Sequence, residues 1–180
     1  MGYIQILGCY SASMTMNKYQ SSQVLFHKNQ TYLIDCGEAT QALLNKHQIK
    51  LSSINNIFIS HLHGDHYFGL IGLISTYSLL RRKNKLTVFC PRVVSEIINT
   101  QMKISSMFLS YELEVIELKS NDPEKIYESN DFSVSTIPLK HSIYCNGFLF
   151  QEKSNKRKLN VDLAMKLNIN KVYYNKSVSY

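Results

Sequence analysis

The feature that most constrains this 180-residue chain is the hexapeptide HLHGDH, which runs from His61 to His66. It contains three of the six histidines and is separated by Ser60 alone from the apolar run Ile54 to Ile59. That run predicts a buried strand, so the polar cluster should emerge where the strand ends. Chance placement of surface histidines is the alternative interpretation, but this pattern is rare in a chain of this composition.

The spacing within the hexapeptide predicts two pairs of metal donors. Side chains at i and i+2 of an extended segment point the same way, so His61 and His63 should project together. Gly64 has no Cβ, and we expect it to permit a sharp turn. Asp65 and His66 then fall at the mouth of the next helix and face elsewhere. Imidazole and carboxylate donors suit Zn²⁺, with Mn²⁺ or Fe²⁺ as alternatives, so the pattern predicts metal binding.

Strands and helices alternate along the chain, and hairpin-like pairs occur as well. Short apolar runs predict strands at YIQILG, SQVLFHK, TYLIDCG, NIFIS, LTVFC, LEVIEL, FSVSTIPL and NGFLFQEK. Helices are predicted over 38–47, from about Phe68 to Arg82, from Pro91 onward in PRVVSEIINTQM, and over NVDLAMKLNI. The pattern indicates an α/β (α+β) chain with a mixed sheet packed against helices. Outside the hexapeptide, His27 and His47 are expected to be surface or turn residues without a chemical role.

Composition favours one globular domain with a polyanionic partner. Hydrophobic residues make up 44% of the chain, and the formal net charge is +7. From Gln151 onward, seven basic residues stand against two acidic ones, so the positive charge is concentrated there. The N-terminus has no basic region typical of a signal peptide, no apolar run is long enough to span a bilayer, and the four cysteines are scattered. We therefore expect a cytoplasmic protein that does not enter a membrane.

Three blocks of sequence carry a family resemblance. They are IDCGEATQALL at 34–44, FISHLHGDHYFGLIGLI at 58–74 and LKHSIYCNGFLFQEK at 139–153. Together they resemble ribonuclease Z, a tRNA 3′-processing endoribonuclease of the metallo-β-lactamase superfamily. The resemblance implies a four-layer αββα sandwich. Residues 1–150 would form its N-terminal part, and 151–180 would be a basic segment resembling the start of the tRNA-binding arm.

The resemblance assigns roles to individual residues. It implies that His61, His63 and His141 bind one zinc ion, and that Asp65 and His66 bind a second. It also implies that Asp65 helps to deprotonate the attacking water. Asp35 would orient the ligands through hydrogen bonds, since such outer groups fix the tautomer of a metal-bound imidazole. An ordinary strand-end aspartate and a buried structural histidine are the alternatives for Asp35 and His141.

The implied reaction is hydrolysis of one phosphodiester in precursor tRNA. It would leave a tRNA 3′-hydroxyl and a trailer with a 5′-phosphate, and the resemblance further implies a homodimer. Two alternatives stay open. One is another hydrolase of the same fold, which would act on a small phosphodiester or a thioester. The other is a catalytically inactive module for RNA binding or dimerisation.

The C-terminal part of the family pattern is absent from this sequence. The family has a further aspartate ligand and a further histidine ligand after the position of His141, whereas no histidine follows His141 here. The chain as written would therefore hold one zinc ion or none firmly. We expect the sequence to continue into these motifs; a fragment or a degenerate relative are the alternatives. RNA contacts are predicted for the basic segment, at Lys153, Lys156, Arg157 and Lys158, with a solvated basic face as the alternative.

Overall fold

The structure, a computed structural model, describes residues 2–13, 15–153 and 159–174. The strands within these residues are β1 Tyr3–Gly8, β2 Ser22–His27, β3 Gln30–Ile34, β4 Ile54–Phe58, β5 Leu86–Pro91, β6 Leu113–Leu118, β7 Lys125–Glu128, β8 Phe132–Pro138 and β9 Asn146–Glu152. The α-helices are α1 Thr40–Lys46, α2 Gly64–Tyr67, α3 Gly69–Leu79, α4 Val94–Ile104 and α5 Val161–Lys166. Every helix described is too short to cross a lipid bilayer.

The strands form two sheets. The larger has the order β1-β2-β3-β4-β5-β6, in which β1 to β3 are antiparallel and β3 to β6 run parallel. The smaller is the antiparallel sheet β7-β8-β9. The predicted mixed sheet is thus confirmed. The parallel strands β3 and β4 end side by side, so the segments after Ile34 and Phe58 meet at one edge.

Alternating residues of the larger sheet pack into two separate cores. Leu33, Ile57 and Val88 face helices α1, α3 and α4, where they pack in a core that includes Leu44, Leu73 and Ile98. Their neighbours Tyr32, Phe58 and Phe89 point the opposite way and form an inter-sheet core with Phe132 and Val134 of the smaller sheet. Both faces of the central strands are therefore buried, which explains why apolar residues of the two faces follow one another at Leu33, Ile57 and Val88 and their neighbours. The described residues build three layers of the expected sandwich.

Two predicted features of the chain are wrong in detail. Pro91 does not begin a helix: it is the last residue of β5, paired with Leu118, and α4 begins at Val94. Proline fits there because the ladder ends at this point, and Val93 makes the change of direction with a left-handed φ of 84°. His27 is not a surface residue, because its ring is buried and stacks on Phe132 with 5.0 Å between ring centroids.

Candidate metal centre

The loop after β4 presents His61 and His63 on the same side of the chain. Leu62, between them, packs against the core on the helix side, so the two flanking histidines turn the other way. Their ring centroids are 4.9 Å apart. His61 is only 6% exposed, whereas His63 is open to solvent. The pair expected from the spacing therefore forms at the end of the strand.

His141 reaches the same point from the smaller sheet. It lies in the loop between β8 and β9, which is closed by a hydrogen bond from Leu139 N to Cys145 O of 2.9 Å. The loop is fastened to the larger sheet where Asn146 N donates to Ser60 O at 3.0 Å. One ring nitrogen from each of His61, His63 and His141 lies within 4.8 Å of the other two. Two sheets thus supply one cluster of imidazoles.

The chemistry of this cluster fits a metal ion. Metal ligation requires a neutral imidazole, and burial lowers the pKa of His61 to about 4, helped by the neighbouring His66. His61 is therefore uncharged near neutral pH. Three imidazoles with an open fourth position form the donor set of a catalytic zinc site.

Asp35 lies directly behind the histidines. It follows β3 with a left-handed φ of 56°, a conformation that aspartate adopts more readily than most residues. Its Oδ1 accepts a hydrogen bond from Ser60 N at 2.8 Å, and its Oδ2 accepts from Ser60 Oγ at 3.1 Å. The same Oδ2 lies 2.7 Å from His66 Nδ1. Asp35 therefore joins the end of β4 to the start of the next helix.

Asp65 and His66 stand beside the three-histidine cluster. Both belong to the short helix α2, and His66 Nε2 lies 3.7 Å from Asp65 Oδ2. The rings of His61 and His66 are 4.0 Å apart between centroids. Burial by itself lowers the pKa of His66, but the hydrogen bond and charge of Asp35, with the charge of Asp65, raise it above its usual value. All five residues predicted as ligands thus come together, as a cluster of three and an adjoining pair.

The predicted reason for Gly64 is wrong. No glycine among the described residues has a positive φ, so Gly64 does not supply a special backbone conformation. A Cβ at Gly64 would instead meet the ring of Phe68 at 2.2 Å. The glycine provides space for the Phe68 side chain.

Two other glycines, Gly37 and Gly69, allow the loop that carries Asp35 to lie close against helices α2 and α3. The sequence did not single them out. A Cβ at Gly37 would lie 2.4 Å from the carbonyl oxygen of Asp65, and one at Gly69 would lie 2.2 Å from the carbonyl oxygen of Gly37. The space permits hydrogen bonds from Cys36 N to His66 O and from Gly69 N to Cys36 O. Ser60 was missed as well, although its place next to the first ligand histidine was a signal. These residues fix how close Asp35 comes to His66.

The residues predicted to bind RNA are only partly covered by the structure. Lys156, Arg157 and Lys158 lie outside the described residues. Lys153 is described, and its Nζ lies 2.7 Å from Glu128 Oε1 in an exposed ion pair. Lys153 is therefore held at the end of the smaller sheet.

Comparisons with known proteins agree with this architecture. Ribonuclease Z of Bacteroides thetaiotaomicron is 43% identical over 150 residues, which are 83% of this chain and 48% of that protein. Ribonuclease Z of Cytophaga hutchinsonii is 47% identical over 155 residues, or 86% of this chain and 50% of that protein. The chain thus spans about half the length of these relatives.

Solved structures show the same likeness. The short form of human tRNase Z superposes with a TM-score of 0.76 at 31% identity, over 84% of this chain and 65% of that one. The metallo-β-lactamase fold protein YhfI from Bacillus subtilis superposes with a TM-score of 0.63 at 18% identity, over 83% of this chain and 58% of that one. The expected fold and the resemblance to ribonuclease Z are confirmed.

One family model covers nearly the whole chain. It is described as anti-Pycsar protein Apyc1, and it matches residues 3–179. The histidine cluster, the fold and this match agree: the chain belongs to the family of the anti-Pycsar protein Apyc1, has the metallo-β-lactamase fold and is similar to ribonuclease Z.

Proposed function

We propose that this protein is a metal-dependent hydrolase of phosphodiester bonds and that precursor tRNA is its substrate. The observation that carries the proposal is the convergence of His61, His63 and His141 from two sheets, with one nitrogen of each within 4.8 Å of the others. The similarity to ribonuclease Z from several bacteria supports tRNA as the substrate.

The three histidines would hold the metal ion, and zinc fits the donor set best. A zinc ion held there would supply Lewis acidity and lower the pKa of a water molecule to about 7. His61 and His63 would set its position relative to β4, while His141 would tie it to the smaller sheet. Since Asp65 and His66 supply two donors beside this cluster, they are the residues of this chain that would contribute to a second metal position.

Asp65 is the residue we assign to proton transfer. Its carboxylate stands at the mouth of α2, 3.7 Å from His66 Nε2, and is partly exposed, so it can accept a proton from a water molecule and release it to solvent. Asp35 is assigned to orientation, because its oxygens accept from Ser60 and His66 and so fix the ring of His66. These roles divide the two aspartates between chemistry and positioning.

The basic segment would contribute affinity for RNA. Seven basic residues lie between Gln151 and Tyr180, and lysine or arginine contacts to phosphates would make binding weaken as salt rises. We assign residues 1–150 to the metal-binding fold and 151–180 to this segment, whose first two residues complete strand β9. A homodimer is also part of the proposal, on the resemblance alone, and analytical ultracentrifugation tests it.

A second candidate function is hydrolysis of a small phosphodiester. It stays open because the family model that matches residues 3–179, that of the anti-Pycsar protein Apyc1, names no RNA in its description, in contrast to the ribonuclease Z relatives. Both candidates use the same cluster of histidines. They differ in the substrate that the surrounding surface accepts.

One assay separates the candidates. The zinc-supplemented protein is given precursor tRNA and, separately, a chromogenic phosphodiester, alongside the variants His63→Ala and His141→Ala. His47→Ala is the matched control, because His47 is exposed at the end of α1 and is not part of the cluster. We expect tRNA cleavage that is lost in the two cluster variants and kept in the control. Turnover of only the small substrate would favour the second candidate, and activity that survives both cluster variants would exclude the metal centre.

A further inference from the structure

Ser60 lies at the centre of the hydrogen bonds behind the metal centre. Its Oγ is 3.1 Å from Asp35 Oδ2, 2.9 Å from His61 Nδ1 and 3.4 Å from His66 Nδ1. It thus touches the first ligand of the three-histidine cluster and the histidine of the adjoining pair. No role was predicted for it from the sequence.

The count of protons decides the direction of these bonds. A serine hydroxyl has one hydrogen to donate, while a carboxylate can only accept. The contact between Ser60 Oγ and Asp35 Oδ2 therefore uses the serine proton. With that proton committed, Ser60 Oγ can only accept at its contact with His61 Nδ1, so the hydrogen must lie on the imidazole nitrogen.

The consequence for His61 is a single tautomer. A neutral imidazole carries one N–H, and if that hydrogen is on Nδ1 then Nε2 is left as a bare donor for a metal. His66 has the same Nδ1–H tautomer without a serine between, since its Nδ1 donates directly to Asp35 Oδ2 at 2.7 Å. Asp35 would thereby set the tautomers of both histidines, one directly and one through Ser60.

We propose that Ser60 is a positioning residue. By donating to Asp35 and accepting from Nδ1–H of His61, it fixes the tautomer that leaves Nε2 of His61 free to bind the metal. The inference rests on the proposed metal centre, but it concerns a proton position that exists without the metal. The three-histidine cluster and the adjoining pair of Asp65 and His66 would then both depend on the carboxylate of Asp35.

A second serine, Ser142, makes a similar contact to a histidine of the cluster but in an exposed position. Ser142 Oγ lies 3.1 Å from His141 Nδ1, a contact of the same kind at the third histidine. His141 and Ser142 are exposed, so water can replace the serine hydroxyl there. His61 is only 6% exposed, and a lost partner at its Nδ1 cannot be replaced in this way. Only Ser60 is therefore expected to matter.

The test compares Ser60→Ala with Ser60→Thr, which keeps a hydroxyl, and with Ser142→Ala as the matched control. Zinc affinity is measured by competition with a chelator, and nitrogen-15 NMR of the metal-free protein reads the tautomer of His61 at neutral pH. We expect Ser60→Ala to bind zinc about 10- to 100-fold more weakly and to lose the pure Nδ1–H tautomer. Ser60→Thr and Ser142→Ala should both resemble the unchanged protein.

Zinc affinity and the NMR tautomer together distinguish failure of the proposed metal centre from failure of the proposed role of Ser60. If the unchanged protein binds no zinc, the metal centre fails, yet the NMR measurement still decides the role of Ser60. A pure Nδ1–H tautomer in Ser60→Ala, or zinc affinity equal to that of the unchanged protein, overturns the inference. Circular dichroism of each variant separates these results from a loss of folding.

Discussion

Phe58 holds the two sheets together, and replacing it with alanine should weaken both the fold and the metal centre. The side chain is fully buried at the end of β4. Its ring stacks on Phe89 of the same sheet, with centroids 4.7 Å apart. Across the interface it meets Phe148 and Phe150 of β9, each with centroids at 5.4 Å.

The size of the effect follows from these contacts. Phenylalanine to alanine changes in a core cost about 3–5 kcal/mol, and aromatic pairs add about 0.5–1.5 kcal/mol beyond the area they bury. Because Phe58 has aromatic neighbours in both sheets, we expect a loss near the upper end, about 4–5 kcal/mol of unfolding free energy. Domains of this size have about 5–15 kcal/mol in total, so Phe58→Ala should fold only marginally. Phe58→Leu keeps most of the volume and should cost about 1–2 kcal/mol.

Urea denaturation followed by circular dichroism measures the unfolding free energies, with Phe108→Ala as the control. Phe108 is 88% exposed, so its loss should change stability by less than about 0.5 kcal/mol. Zinc affinity should fall together with stability in Phe58→Ala, since His141 is carried by the smaller sheet. A cost below about 1 kcal/mol, or equal costs for the buried and the exposed phenylalanine, would refute the inter-sheet packing argument.

Three further predictions concern the surroundings of the site and the edge of the smaller sheet. Asp35→Asn presents an amide donor to His66 Nδ1 and should favour the wrong tautomer, in which His66 Nδ1 carries no hydrogen. Metal affinity should therefore drop about 10- to 100-fold while circular dichroism stays unchanged, and unaltered zinc binding would contradict this. Gly37→Ala places a Cβ 2.4 Å from the Asp65 carbonyl oxygen, and the forced shift should cost about 1–3 kcal/mol in urea denaturation as well as lowering turnover. Two lysines hydrogen-bonded to Glu128 lower its pKa to about 2, so its carboxylate contributes stability that is present above its ordinary value of 4.5 and lost as pH falls toward 2. The stability difference between the unchanged protein and Glu128→Gln should therefore shrink from about pH 5 downward and also in high salt, and a difference that grows on acidification would exclude this pairing.

Local sequence patterns predicted much of this molecule because they depend on neighbours along the chain. The i, i+2 spacing of His61 and His63 was enough to place both side chains together, and the apolar run before them marked β4. β7 was not predicted, since Lys125–Glu128 is a short segment that gains its conformation from pairing with β8. His27 was expected to be a surface or turn residue because the adjoining turn is visible in the sequence, whereas the stacking on Phe132 is not.

The sequence by itself determined the donor chemistry: three imidazoles and a carboxylate after a buried strand, in an order that resembles a known metal-binding family. Only the tertiary structure decided how those donors are oriented. The proximity of Ser60 to Asp35, the space left by Gly37 and the approach of His141 across the sheet interface all join residues far apart in the chain. Such contacts are set by the packing of two sheets and a helix layer, which no local periodicity encodes.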